Sequence, residues 1–260
     1  MIEKDEKFIK LIKDLKISGA SGMKLELESE YLPESRCLEI SNTLSKYDFT
    51  LVLKLGGVSS LNDIQVAKNI NADAIVAPMV ESAYGLEKFV KTLLCVYSES
   101  EALNKKIYIN IETKTGIEKF QNMLASRYMR YITGIVIGRS DLSSSLNVSE
   151  ALIDSDKMYD TIFPVVEKCY NEGKKVIMGG KITPASVPFL KKIPKGYLHG
   201  FETRKIFFIS ELLEQRDVSF AINKAIEFEL YYLQNFSKKF ALNTYDIDKR
   251  ILTLKNRFLT

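Results

Sequence analysis

Short apolar runs alternate with longer stretches of helical period along most of this chain, and no other feature constrains its fold as much. Residues 22–28 alternate with period two, and further apolar runs lie at 49–55, 73–80, 106–112, 132–138, 174–179 and 198–208. Helical spacing occupies 3–16, where Phe8, Ile9, Leu11, Ile12 and Leu15 share a stripe. It returns near 60–70, 83–97, 116–126, 156–172 and 184–192. Strands separated by helices of roughly 10–15 residues build βαβ units, and successive units build a parallel sheet. The expected fold is α/β: a TIM-type (β/α)8 barrel. Seven strands are visible where eight close such a barrel, so one is irregular or hidden. Beyond residue 209 the pattern is helical, with Phe220, Ala221, Ala225, Ile226, Leu230 and Leu233 on one broad stripe. Residues 1–208 would then form the barrel with its N-terminal helix, and residues 209–260 a helical C-terminal extension for packing or oligomerisation.

Composition narrows the function. With 260 residues, 46% of them hydrophobic, the chain is long enough for one large core and too apolar for disorder. No stretch reaches the roughly 18 unbroken apolar residues that span a bilayer. The charged start, Met1 to Lys7, has no apolar run behind it, so neither a membrane partner nor a secretory signal is expected. The net charge of +4 is spread out, which argues against a nucleic-acid partner. Cys37, Cys95 and Cys169 are scattered and odd in number, as expected of a reducing, cytoplasmic compartment. His199 is the only histidine, so a two-histidine zinc site is excluded and oxygen ligands must hold any metal.

Strands covered on both faces should be apolar throughout, and several of these are not. In the first, Met23, Leu25 and Leu27 face one way and Lys24, Glu26 and Glu28 the other. In the second, Leu51, Leu53 and Leu55 oppose Val52 and Lys54; in the fourth, Ile107, Ile109 and Ile111 oppose Tyr108, Asn110 and Glu112. The apolar faces suit helix packing outside a barrel, which leaves the charges pointing inward near the C-terminal strand ends, where catalytic groups of such barrels sit. Buried charges are costly unless paired, hydrated or bound to metal, so they form either an internal ion-pair network or a site. The fifth strand runs into Gly138, Arg139, Ser140 and Asp141, a tight βα loop. Glu112 and Asp141 end consecutive strands and could share one Mg2+ or Mn2+, or Asp141 could simply cap the following turn.

Three motifs in order, VAPMVES (76–82), INIET (109–113) and GIVIGRSDLS (134–143), resemble the HpcH/HpaI aldolase and citrate lyase β-subunit family. That family belongs to the phosphoenolpyruvate/pyruvate-binding barrel superfamily, which includes pyruvate kinase, and the resemblance spans residues 20–190. It implies that Glu112 and Asp141 hold Mg2+ or Mn2+ and that the metal chelates a 2-oxo acid, pyruvate or oxaloacetate. It also implies that backbone amides from Gly138 to Asp141, Ser140 included, receive the substrate carboxylate. The metal would stabilise an enolate formed as a carbon–carbon bond beside the ketone is made or broken. The family is usually oligomeric, which suggests a homo-oligomer.

Two departures bear on mechanism. Lys54 stands where the aldolases usually carry an arginine, giving charge without the bidentate fork. Glu26, Leu27, Glu28 and Ser29 stand where they carry a D-L-E-H run, so the usual histidine is absent. Glu26 and Glu28 are the candidate bases, and Glu81 a weaker one. Arg139 and Arg204 are candidates for gripping an acidic substrate or for pairing with neighbouring carboxylates. The expected function is a metal-dependent carbon–carbon lyase of the aldolase type. Its alternatives are a citrate-lyase-like enzyme acting on an acyl-CoA or malyl-type substrate, and a catalytically weakened metabolite-binding or scaffold barrel.

Overall fold

The structure, a computed structural model, describes residues 2, 5–30, 32–238 and 244–257. Eight strands close into one barrel in sequence order: β1 (Ala20–Glu26), β2 (Thr50–Lys54), β3 (Ala74–Ala77), β4 (Lys106–Ile111), β5 (Gly134–Gly138), β6 (Lys175–Gly179), β7 (Gly200–Glu202) and β8 (Ile206–Ile209). The first seven run parallel, and β8 is antiparallel to both β7 and β1.

The hidden strand lies in the run at 198–208, which is a hairpin of two strands. No glycine, proline or asparagine marks its turn. Instead Thr203 closes it, its N–H donating to the Ile206 carbonyl at 2.9 Å and its Oγ1 accepting from the Ile206 N–H at 3.1 Å. Arg204 and Lys205 then pair with Glu26 and Glu30, partners far away in sequence. Local turn chemistry is weak here, and distant charges supply what it lacks.

Alternation along the strands sorts the residues as expected. Met23, Leu25, Leu51, Leu53, Ile107, Ile109 and Ile111 face outward into the main core beneath the helices. A second, smaller cluster of Ala74, Val76, Tyr108, Val136 and Ile177, with Val52 and Phe207 against it, fills the barrel interior. Each fully buried Leu or Ile contributes about 1.5–3 kcal/mol relative to exposure. Above this apolar plug the interior turns polar.

Three local expectations change. β1 stops at Glu26, and Leu27–Glu30 forms a helical turn, so Glu28 is not a strand residue. Glu34–Ser45 is a helix that periodicity does not reveal, because its buried face includes Cys37 and Thr43 beside Ile40 and Leu44. The loop after β5 is the helix Arg139–Ser145.

The C-terminal segment packs on the N-terminal helix Glu6–Ile17. Its first helix, Val218–Tyr232, sets Phe228 5.6 Å from the Phe8 ring, and Phe236 follows at 5.3 Å. A terminal helix, Tyr245–Arg257, buries Ile247, Ile251 and Leu254. No described helix is long and apolar enough to cross a membrane.

Candidate active site

A cavity of about 440 Å³ opens at the C-terminal ends of the parallel strands. The inward positions that the alternation marks as charged line it: Lys24 and Glu26 from β1, Lys54 from β2, Asn110 and Glu112 from β4 and its end, and Glu202 from β7. Most of these charges are neutralised locally. Lys24 Nζ donates to Glu202 Oε1 at 2.5 Å and lies 3.6 Å from Glu26 Oε1. Arg204 Nε donates to Glu26 Oε2 at 3.3 Å, and its NH2 group to Ser29 Oγ at 3.2 Å. Lys54 pairs with Glu28 at 3.2 Å. Burial alone would raise the Glu26 pKa, but Lys205, Lys24 and Arg204 outweigh it and hold the carboxyl well below the usual range.

Two lining carboxylates differ. Among the described residues, Glu112 and Asp141 form no ion pair closer than 4 Å. Glu112 is buried and accepts only neutral donors, the Met79 N–H at 3.0 Å and Asn110 Nδ2 at 2.8 Å. Burial pushes its carboxyl up; Lys54 opposes that rise and the Asp141 charge adds to it. Asn110 Oδ1 beside it is buried without a donor. The geometry depends on glycine: a Cβ on Gly138 would meet Glu112 Oε2 at 2.6 Å. At Gly180, where φ is +86°, a Cβ would meet the Ser140 nitrogen at 2.5 Å.

No group of three or more His, Cys, Asp or Glu side chains capable of holding a metal occurs among the described residues. Two carboxylates and an undonated amide oxygen nevertheless suit a hard cation such as Mg2+, which usually keeps several waters and takes one or two protein carboxylates.

The residues singled out from sequence do not all meet here. Lys54, Glu26, Glu28, Gly138, Ser140, Asp141, Glu112 and Arg204 line the cavity. Arg139 does not. Its guanidinium is fully buried, bonded to Asp154 Oδ1 at 2.5 Å and to the carbonyls of Gly179 at 3.1 Å and Gly180 at 2.9 Å, over the Phe189 ring. It braces the loop after β6 instead of facing a substrate. Glu81 is exposed beside Ser82, whose side chain caps the following helix. His199 precedes β7 at the opposite end of the barrel, where burial lowers its pKa.

The structure also adds residues. Glu202 joins Lys24, whose inward position the alternation already marks, on the cavity lining. Glu229 and Arg250 come from the C-terminal helices, joined by two bonds of 2.7 and 3.0 Å. They line the cavity too, and no local pattern in the tail announces it.

A closed barrel with a charged, concave mouth at the C-terminal ends of its parallel strands defines the class of (β/α)-barrel enzymes. Within that class, residues 40–177 match the model for HpcH/HpaI aldolase/citrate lyase, and the chain belongs to this lyase family. Among solved structures it is similar to an HpcH/HpaI aldolase from Desulfitobacterium hafniense DCB-2, at 13% identity over 75% of this chain and 81% of that one, with a TM-score of 0.62. An HpcH/HpaI aldolase/citrate lyase family protein from Burkholderia cenocepacia J2315 shares 11% identity over 71% and 80%, with a TM-score of 0.59. The citrate synthase SbnG shares 16% identity over 71% and 78%, with a TM-score of 0.58. At these identities the likeness concerns fold alone. No curated protein matches the sequence.

Proposed function

We propose that the cavity makes or breaks a carbon–carbon bond beside the carbonyl of a 2-oxo acid, with a divalent cation held by Glu112 and Asp141. The observation that carries this reading is that, among the described residues, these two are the lining carboxylates with no ion pair within 4 Å. A bound Mg2+ or Mn2+ supplies Lewis-acid polarisation of the keto oxygen and charge stabilisation of the enolate. Lys54 adds a fixed positive charge near Glu112, where negative charge develops on the substrate oxygen. Gly138 lets Glu112 lie against the end of β5. Glu26 and Glu28, both tied to cations, remain the candidate bases for the substrate hydroxyl.

Thermal unfolding with Mn2+ and oxalate, a planar mimic of the enolate, tests this reading. At about 100 times its dissociation constant the ligand stabilises by about 2.7 kcal/mol. For a chain of this size that raises Tm by roughly 5 °C. The shift should require both components and vanish in Glu112→Gln and Asp141→Asn. An equal shift in both variants would remove the basis for the assignment.

A further inference from the structure

The floor of the cavity holds a second cation beside Lys54. Lys24 is 8% exposed, and its ammonium is suspended between Glu202 and Glu26. Burial works against the charge, but Glu202, Glu26 and, more weakly, Glu112 outweigh it, so the amine's pKa is raised and the group stays protonated. Lys54 is differently placed: it pairs with Glu28, and Glu112 is the carboxylate whose charge most favours its ammonium. The enolate left by carbon–carbon cleavage must be protonated at carbon, yet the chain's one histidine lies at the far end of the barrel. Arg204 and Arg250 give up protons far too reluctantly to serve. Lys181 is engaged with Glu150.

We propose that Lys24 is the proton donor to the enolate carbon, with Glu202 as the positioning residue that holds its ammonium; this rests on the 2-oxo acid reading above. When the carbon–carbon bond breaks, its electron pair stays with the 2-oxo acid fragment as the enolate. The enolate carbon takes a proton from Lys24 Nζ and forms the new C–H bond, while the N–H electron pair remains on nitrogen as a neutral amine. The amine regains a proton from cavity water, which receives the proton given up by a cleaved hydroxyl. In reverse, the neutral amine removes a methyl proton from pyruvate.

Two reactions separate enolate formation from proton transfer. Decarboxylation of oxaloacetate forms the enolate by losing CO2, without proton transfer at carbon. Exchange of pyruvate methyl protons with D2O requires that transfer. In Lys24→Arg the charge between Glu202 and Glu26 is kept, but the guanidinium is too weak an acid to relay a proton. Mn2+-dependent decarboxylation should then stay within about 3-fold of wild type, while exchange falls about 100-fold or more. Full exchange in Lys24→Arg would reduce Lys24 to a structural cation and overturn the proposal. In Glu202→Gln the Lys24 pKa falls, because the nearer of the two carboxylates paired with it is gone, so the rise of exchange with pH should move down by about one unit or more. An unmoved profile would overturn the role of Glu202. Wild type that neither decarboxylates oxaloacetate nor exchanges pyruvate would overturn the underlying reading together with this one.

Discussion

Replacing Arg139 with methionine removes a charge that the fold has wrapped completely. The guanidinium is inaccessible to solvent, and its bonds run to Asp154 and to the carbonyls of Gly179 and Gly180, with a longer one of 3.4 Å to Ile153. Breaking a buried pair from one side costs about 3–5 kcal/mol, because the remaining groups lose both their partner and any access to water. Asp154 keeps 27% side-chain exposure and recovers some hydration, which favours the lower end, about 3 kcal/mol. The carbonyls of Gly179 and Gly180 do not recover so easily. At roughly 2 °C per kcal/mol for a chain of this length, Tm should fall by about 6 °C. Circular dichroism melting at neutral pH is the assay. A shift below about 2 °C would refute the bracing role, and an unchanged Tm with lost oxalate binding would return Arg139 to the substrate.

The acid limb of stability tests Glu26. Its folded-state pKa is depressed, so its stabilising contribution is complete above the unfolded-state value of about 4.3 and is lost as pH falls below that. Glu26→Gln should be less stable than wild type at pH 7 yet lose stability less steeply below about pH 4.3, measured by urea unfolding across pH; parallel curves would contradict the depressed pKa. Arg250→Met should leave the fully buried Glu229 carboxylate without its partner and cost about 3–5 kcal/mol. Limited proteolysis should then cut the Tyr245–Arg257 helix sooner than in wild type, and equal cutting rates would show that the pair does not pin it.

Period-two alternation was sufficient to place Lys24, Glu26, Lys54, Asn110 and Glu112 inside the barrel, because strand geometry forces successive side chains onto opposite faces. Helical periodicity likewise revealed the strongly amphipathic helices such as Asp156–Asn171, but not Glu34–Ser45, whose buried stripe mixes Thr43 and the small Cys37 with Ile40 and Leu44. The β7–β8 hairpin was illegible for a different reason: its turn is closed by Thr203, and the charges of Arg204 and Lys205 are paired with Glu26 and Glu30.

What the sequence determined by itself was therefore whatever depends on period: the βαβ order, the apolar outer face of each strand, and the charged inner face at one end. The three ordered motifs added the family. Only the tertiary structure decided which charges cancel. Ion pairing depends on the last few ångströms between side chains from different elements, and no spacing within one segment records that distance. Arg139 and Arg204 read alike as sequence, yet one is sealed beneath the loop after β6 and the other stands in the cavity wall. The same closure of the barrel joins Lys24 to Glu202 across 178 positions of chain, and it leaves Glu112 and Asp141, among the described residues, as the lining carboxylates with no ion pair within 4 Å.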